Sequence, residues 1–308
     1  MTVSVAIPVL NGGPLLDEVL GAVRAQRLDG DELELVIADS GSTDGSLSVA
    51  QRHGAQVVSI ARSSFSHGGA RNRLMRETRG SHVAFLTQDA TPASPDWLAS
   101  LLRGFTRAER VGLVYGPYRA RPGAPHWVRR EYADFFGASP SVERGPAAMP
   151  FFTDANGCLL REAWEQVPYR DVAYAEDHMI ARDMLAAGWA KAYEPSAAVI
   201  HSHSYPPAEQ FGRLFDEFRA LREVHGHVEE AGPRHTLGTV RRQVALDRAW
   251  LRASGVGGGE LDRATIESLR FYAIRATAAA LGTRADRLPP RVRAALSRDG
   301  RGTFEPAE

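Results

Sequence analysis

A buried β-strand is predicted by Val3-Ser4-Val5-Ala6-Ile7-Pro8-Val9, a short apolar run with a helical pattern behind it at 15–26. The same alternation of strand and helix is repeated three more times before residue 116. The later strands are predicted at 33–38, 56–60 and 83–86, and the helices that follow them are predicted at 44–53, 70–79 and 97–107. Strands that alternate with helices in this way form an α/β fold, in which a doubly wound, mostly parallel sheet carries helices on both faces.

The chain changes in character at about Pro206. Before it, residues 118–150 are proline-rich and look irregular. The remaining elements of the α/β part are predicted at 156–160 (strand), 178–188 (helix) and 197–201 (strand). Three further helices are predicted at 208–225, 239–253 and 264–281. We therefore predict an α/β domain over 1–206 and a helical C-terminal region over 207–308.

Charge and composition limit the classes of partner. The 308 residues carry 37 basic and 37 acidic side chains, so nucleic acid is not expected as a partner. Cys158 is the only cysteine, which excludes an intramolecular disulfide and a cysteine metal cluster. The sequence has neither a signal-peptide pattern nor an apolar run of about 20 residues. We expect a cytoplasmic protein, soluble or attached to the inner face of the membrane.

Polar loops follow the predicted strands at the edge where parallel sheets bind their ligands. The first strand ends in Leu10-Asn11-Gly12-Gly13, and the second ends in Asp39-Ser40-Gly41-Ser42-Thr43-Asp44-Gly45. A carboxylate there accepts a hydrogen bond from a ribose hydroxyl or a base N–H, which is the interpretation favoured for Asp39. For Asp44 we favour capping of the next helix.

The third and fourth loops add a glycine pair and an isolated carboxylate. In Ser66-His67-Gly68-Gly69-Ala70-Arg71-Asn72, the glycines let the backbone approach a ligand, and Arg71 is placed to meet a phosphate or a nucleobase. The fourth strand ends in Gln88-Asp89-Ala90, where an acidic side chain is placed to bind a divalent cation. Taken singly, each motif is also typical of an ordinary turn.

Two further motifs lie late in the α/β part. Glu176 and Asp177 begin a predicted helix, a position that the helix dipole favours for carboxylates. His201 and His203 follow the last strand at alternate positions, so both imidazoles point to one side, as a metal site requires. Each pair taken alone is also typical of polar surface.

In this order and at this spacing, the motifs resemble those of the family 2 glycosyltransferases with the A-type fold, especially the bacterial rhamnosyltransferase-like branch. The resemblance covers about residues 3–205. It implies a catalytic domain over 1–206, with a nucleotide-binding half over 1–116 and an acceptor-side half over 117–206. It also implies a set of donor-binding residues, namely Pro8, Val9, Asn11, Asp39, Gly68, Arg71, Gln88 and Asp89.

The metal motif departs from the common family pattern. Many members carry Asp-X-Asp, whereas this chain has Gln88-Asp89-Ala90, a form typical of the rhamnosyltransferase-like branch. With one protein carboxylate, donor phosphates, waters and a late histidine must complete the coordination of Mg²⁺ or Mn²⁺. His203 and His201 are the candidate ligands beside Asp89, and the sequence does not choose between them.

The resemblance also implies a mechanism. Asp177 is assigned the role of general base, with Glu176 orienting the acceptor or the neighbouring loop, in a single inverting displacement on a nucleoside-diphosphate sugar. The expected donor is dTDP-L-rhamnose, with UDP-glucose, UDP-galactose or UDP-N-acetylglucosamine as alternatives. The expected acceptor is a glycan or a lipid-linked glycan of surface polysaccharide biosynthesis.

Two other classes of protein are alternatives to a glycosyltransferase. A dinucleotide oxidoreductase shares the doubly wound sheet, but the G-x-G-x-x-G motif is missing after the first strand. A non-catalytic nucleotide-sugar-binding or scaffold protein stays open, because a fold does not prove an activity. The presence of Asp89, Asp177 and the histidine pair favours catalysis.

The helical region allows two interpretations. Its last predicted helix has an apolar face, which includes Leu269, Tyr272 and Ala276, with arginines around it. Such a face suits peripheral contact with an anionic membrane. It equally suits packing against the catalytic domain or another subunit.

Overall fold

The computed structural model describes residues 1–172, 174–230, 232–298, 300 and 302–303. The chain forms two compact units. The first comprises Met1–Arg121 and Asp134–Ser202, and the second comprises Pro122–Ala133 with the described residues from His203 onward. The second unit therefore begins close to the predicted change at Pro206, but it also takes in a short segment from the proline-rich region.

The main elements are as follows. The strands are β1 (Thr2–Val9), β2 (Glu32–Asp39), β3 (Gln56–Ser59), β4 (His82–Leu86), β5 (Thr91–Pro92), β6 (Val111–Tyr115), β7 (Tyr118–Arg119), β8 (Ser141–Arg144), β9 (Asn156–Leu160), β10 (Ala190–Tyr193) and β11 (Val199–Ile200). The helices are α1 (Gly13–Arg24), α2 (Ser46–Arg52), α3 (His67–Glu77), α4 (Trp97–Gly104), α5 (His126–Phe135), α6 (Arg161–Gln166), α7 (Glu176–Ala186), α8 (Pro207–His225), α9 (Pro233–Ala253), α10 (Gly258–Gly282) and α11 (Pro290–Leu296).

An eight-stranded sheet forms the centre of the first unit, in the order β3-β2-β1-β4-β9-β6-β10-β8. The four strands from β3 to β4 are parallel, and β10 is parallel to β6. Strand β9 runs antiparallel to both of its neighbours, and β8 runs antiparallel to β10. The predicted α/β class with a mostly parallel sheet is confirmed.

Both faces of this sheet are covered, which explains the continuous apolar character of β1. Val5 and Ile7 point to the face on which Leu16 of α1 packs. Ala6 points to the opposite face, where it belongs to the cluster that contains Leu74 of α3. Each large aliphatic side chain buried in this way contributes about 1.5–3 kcal/mol of hydrophobic stabilisation.

Helix α3 begins earlier than the sequence indicates. The prediction starts this helix at residue 70, whereas it begins at His67. The reason is the cap: Ser66 is extended, and its hydroxyl accepts a hydrogen bond from the Gly69 backbone at 3.1 Å. Gly68 and Gly69 therefore lie in the first helical turn, and the loop before the helix is shorter than predicted.

The region predicted to be irregular, 118–150, contains α5 and two short strands. One of these, β7, belongs to a second sheet of three strands in the order β5-β11-β7. In it, Ile200 of β11 pairs with Thr91 of β5, and the His201 backbone donates to the Arg119 carbonyl at 2.9 Å. This small sheet therefore sets the end of β11 beside the loop that follows β4.

The second unit is helical and has a buried polar centre. Arg130 Nε of α5 lies 2.5 Å from Asp247 Oδ1 of α9, and another of its nitrogens donates to the Tyr272 hydroxyl of α10 at 2.8 Å. Such a buried ion pair needs its hydrogen-bonded partners, since breaking it leaves an uncompensated charge. This pairing explains why Pro122–Ala133 belongs with the helices, although the sequence prediction assigned it to the first domain.

The apolar face predicted for the tail is used partly within the helical unit. Tyr272 of α10 is buried, and Gly282 of the same helix lies so close to α8 that a Cβ there would be 2.6 Å from the Phe215 carbonyl oxygen. Leu269 is exposed. None of the described helices combines the length and the apolar character needed to cross a membrane. The predicted peripheral membrane contact stays a prediction.

A buried amide ties the two sheets of the first unit together. The Asn156 side chain accepts a hydrogen bond from Trp97 Nε1 at 2.8 Å and donates to the carbonyls of Pro117 and Ala197 at 3.1 and 2.8 Å. We expect Asn156→Ala to lower the free energy of unfolding by about 3 kcal/mol, because a buried group left unsatisfied costs about 1–3 kcal/mol.

Urea unfolding followed by circular dichroism measures this loss. Gln51→Ala is the matched control, since this amide is exposed on α2. A loss of less than about 1 kcal/mol for Asn156→Ala would mean that the amide does not hold these segments together.

Candidate active site

The loops after β1 and β2 are bound to each other. Asn11, whose φ is 52°, accepts a hydrogen bond on its side-chain oxygen from the Thr43 backbone at 2.8 Å and donates its own N–H to the Ser42 hydroxyl at 2.9 Å. Val9 pairs in register with Asp39. Pro8, Val9, Asn11 and Asp39, four of the predicted donor-binding residues, are thus brought to one edge of the sheet.

Asp39 shapes its own loop. Its carboxylate accepts hydrogen bonds from the backbones of Gly41 and Ser42, at 3.0 and 3.1 Å, and the residue is 5% exposed. Asp44 accepts hydrogen bonds from the backbones of Ser46 and Gly13, at 3.1 and 2.9 Å. The cap residue of α2 is Gly45, which has no side-chain cap, so the capping interpretation of Asp44 is wrong. The base contact predicted for Asp39 stays a prediction.

Gln88 makes two hydrogen bonds to the loop after β1. Its side-chain oxygen accepts from the Leu10 N–H at 2.9 Å, and its amide nitrogen donates to the Leu10 carbonyl at 3.1 Å. A carboxylate at this position has no donor for the Leu10 carbonyl. The glutamine of the Gln-Asp-Ala motif therefore joins the loops after β1 and β4.

A candidate metal centre lies at the end of β4. Asp89 Oδ1 is 3.5 Å from His201 Nδ1, and His203 follows His201 after a single residue. One ligand atom from each of the three residues lies within 4.8 Å of the others. Carboxylate oxygen and imidazole nitrogen are donors that suit Mn²⁺, so these side chains fit the predicted cation. Both histidines predicted from the sequence are thus close to Asp89.

Arg121 supports the Asp89 loop, and sequence reasoning missed it. One of its nitrogens donates to the Asp89 carbonyl and to the Thr91 hydroxyl, both at 2.9 Å. Another lies 3.0 Å from Glu18 on α1, which also accepts from Thr91 at 2.6 Å. Nothing in the sequence near Arg121 distinguishes it from the other arginines of the proline-rich region.

The predicted base lies at the start of α7. Ala175 precedes this helix with a φ of 57°, a conformation that is uncommon for a residue with a Cβ. The Asp177 carboxylate accepts hydrogen bonds from the backbone N–H of His178, at 2.9 Å, and from the backbone of Asp154. Asp154 comes just before β9, whose first residue pairs with the last residue of β4. Asp177 therefore lies at the same edge of the sheet as Asp89.

Arg71 pairs with two carboxylates. Its Nε lies 2.6 Å from Asp154 Oδ2, and its Nη1 lies 2.7 Å from Glu176 Oε1. The residue is 4% exposed. The contact with the nucleobase or the phosphates that the resemblance implied stays a prediction. Asp154 was missed, because a lone carboxylate before a strand carries no local signal.

Gly68 is also explained by the protein itself. A Cβ at this position would lie 2.2 Å from the carbonyl oxygen of Arg170, a distance that side chains do not tolerate. The glycine therefore permits the close approach of the segment before α7. The predicted contact of Gly68 with the donor stays a prediction.

The buried carboxylates have displaced proton affinities. Burial raises the pKa of Asp154 to about 8, with a smaller contribution from the negative charges of Asp177 and Glu176. Burial, together with the neighbouring Glu176 carboxylate, raises the pKa of Asp177 to about 7, and the Arg71 charge opposes both shifts. A carboxylate that titrates near neutral pH is suited to act as a general base.

Residues 4–166 match the sequence profile of glycosyl transferase family 2. The chain belongs to this family. Among relatives of the family 2 chain is the O-antigen chain rhamnosyltransferase RfbN of Salmonella typhimurium. It is 31% identical over 227 residues, which cover 70% of the chain and 71% of RfbN. The family predicted from the motifs is confirmed.

Solved structures show the same fold. The mannosyltransferase PcManGT from Pyrobaculum calidifontis, in complex with GDP-Man and Mn²⁺, superposes with a TM-score of 0.60 at 20% identity, covering 93% of the family 2 chain and 88% of PcManGT. TarS 1–349 of S. aureus, in complex with UDP-GlcNAc, gives 0.53 at 13% identity, covering 93% and 92%. The A-type glycosyltransferase fold is therefore confirmed.

The raised pKa of Asp177 predicts a pH-dependent effect of Asp177→Asn on stability. Because the folded pKa of about 7 lies above 3.8, the ordinary value of an aspartate, the stability that this group contributes is present at low pH and is lost as the pH rises through 7. The neutral amide has no such loss. We expect the melting temperature of the variant to gain on that of the wild type between about pH 4 and 7, the interval between the two pKa values.

Thermal unfolding across this pH range measures the difference between the two proteins. Asp171→Asn is the control, because Asp171 is exposed on the segment before α7. A difference that does not change with pH would show that the Asp177 pKa is ordinary.

Proposed function

We propose that this family 2 protein is an inverting, metal-dependent glycosyltransferase that transfers L-rhamnose from dTDP-L-rhamnose to a hydroxyl of a glycan or lipid-linked glycan in surface polysaccharide biosynthesis. The observation that carries the proposal is the position of Asp177, a partly buried carboxylate of raised pKa, at the sheet edge that also holds Asp89. The similarity to an O-antigen rhamnosyltransferase supports the choice of sugar.

Asp177 is the proposed general base. In its ionised form it takes the proton of the acceptor hydroxyl, whose oxygen attacks the anomeric carbon on the face opposite to the leaving diphosphate. The two backbone N–H groups that bind the carboxylate orient it for this transfer. The attack from the opposite face inverts the anomeric configuration, so a β-linked donor gives an α-rhamnoside.

The donor lies, in this proposal, over the joined loops after β1 and β2. Asn11 and Asp39 bind the nucleotide at that edge, while Gln88 holds the loop after β1 in place by hydrogen bonding. Asp89, with His201 or His203, is the proposed site of Mg²⁺ or Mn²⁺. A cation held by these residues would offset the negative charge on the leaving diphosphate.

A panel of nucleotide sugars tests the donor. We expect release of dTDP from dTDP-L-rhamnose with Mn²⁺ to have a higher kcat/KM than release of UDP from UDP-glucose, UDP-galactose or UDP-N-acetylglucosamine. The margin is modest, because one methyl in an apolar contact is worth about 1–3 kcal/mol. A preference for a UDP-sugar overturns the rhamnose assignment and keeps the transferase.

Substitution of the base tests the mechanism. We expect Asp177→Asn to bind dTDP and Mn²⁺ as the wild type does and to lower kcat by roughly 10²–10⁴, the usual contribution of a general base. Asp171→Asn serves as the matched control and should keep wild-type turnover. Near-normal kcat of Asp177→Asn at saturating substrate would remove Asp177 from this role.

Substitution of the metal ligand tests the cation. We expect Asp89→Ala to weaken the binding of Mn²⁺ in the presence of dTDP by at least tenfold, since it removes the carboxylate of the site. Titration calorimetry gives this affinity. Asp96→Ala is the control, because Asp96 is exposed before α4 and pairs with Arg27. Wild-type turnover in excess chelator would exclude a metal-dependent reaction.

A further inference from the structure

The conspicuous motif at the start of α3 faces the segment that leads into α7. Gly68 allows the Arg170 carbonyl to approach, as described above. Asn72 donates to the Tyr169 carbonyl at 2.8 Å and accepts from the Tyr169 N–H at 3.1 Å and from Trp164 Nε1 at 2.8 Å. All three hydrogen bonds of the Asn72 amide thus hold the segment from Trp164 to Arg170.

Tyr169 continues this chain of contacts to the predicted base. Its hydroxyl donates to Asp154 Oδ1 at 2.5 Å, and Arg71 binds the other oxygen of the same carboxylate. The backbone of Asp154 in turn donates to Asp177. The connection from Asn72 through Tyr169 and Asp154 to the base is therefore continuous.

We propose that Arg71, Asp154 and Tyr169 are positioning residues, which hold Glu176 and the base Asp177 at the start of α7, and that Arg71 does not bind the donor. The proposal rests on the proposed role of Asp177 as general base. The resemblance linked the Gly-Gly-Ala-Arg-Asn motif to binding of the nucleotide. The proposal instead gives this motif the role of positioning the base.

The chemistry of arginine fits this position. The guanidinium meets Asp154 through Nε and Glu176 through Nη1, which lie at different points of its planar fork. A lysine ammonium concentrates its donors on one atom and does not reproduce this arrangement. Among the described residues, Arg71 acts on the charges of Asp177 and Asp154, and both of these carboxylates also interact with Glu176. Removing the Arg71 charge raises the proton affinity of the base.

The first measurement separates positioning from donor binding. We expect Arg71→Lys to lower the rate of dTDP release from dTDP-L-rhamnose at least tenfold, while the affinity for dTDP in Mn²⁺, measured by calorimetry, stays within twofold of wild type. Arg73→Lys is the matched control, because Arg73 lies on the same helix, is half-exposed and pairs with Glu77. A tenfold loss of dTDP affinity in Arg71→Lys would overturn the proposal.

The second measurement needs no turnover and so does not depend on the proposed function. The pKa of Asp177 follows from the pH dependence of the stability difference between each protein and its Asp177→Asn derivative. We expect this pKa to rise by about one unit or more in Arg71→Gln, where the cation is lost. Tyr169→Phe keeps the ring and loses only the hydroxyl, so it serves if Arg71→Gln does not fold, and we expect the pKa to move there too.

An unchanged Asp177 pKa in Tyr169→Phe and in a folded Arg71→Gln variant would overturn the positioning role. If instead the pKa moves as expected but Asp177→Asn keeps wild-type turnover, the assembly is real and the proposed general base is wrong. The two failures are therefore distinguishable.

Discussion

The contact of Arg71 with Asp154 and Glu176 is the interaction on which the candidate site depends. A buried guanidinium and a buried carboxylate are each costly alone, and their opposite charges offset part of that cost when they lie side by side. Arg71 comes from α3, Asp154 from the turn before β9, and Glu176 from the first turn of α7. One side chain thus ties the parallel half of the sheet to the segments that follow it, and it fixes where Asp177 can lie.

The candidate metal centre depends on a second, independent set of contacts. The three-stranded sheet holds the end of β11 beside β5, and Arg121 holds the Asp89 carbonyl. Because β5 directly follows the loop after β4, this pairing brings His201 close to Asp89, although the two residues are 112 positions apart in the sequence. Asp177, the proposed base, and the candidate metal ligands are therefore held at the same sheet edge by different sets of contacts.

The fold itself says little about the donor. PcManGT with GDP-Man and TarS with UDP-GlcNAc carry different nucleotides on similar folds. The sheet supplies an edge at which loops gather, and the loops carry the specificity. The hydrogen bonds of Asn11 with Thr43 and of Gln88 with Leu10 shape that edge in this chain. In the proposed function, these loops select the donor.

The sequence by itself determined the strands of the parallel half, since a strand buried on both faces is a continuous apolar run. It also determined the order of the motifs and hence the family. It did not indicate β10, because its Ala-Lys-Ala-Tyr stretch has no strand signal. Lys191 is buried there because its ammonium donates hydrogen bonds to the carbonyls of Met149 and Phe151, at 2.7 and 2.6 Å, and lies 3.5 Å from the Glu143 carboxylate. Nor did it decide the partner of Arg71. A guanidinium binds phosphate and carboxylate alike, and only the tertiary structure brings Asp154 and Glu176 within its reach.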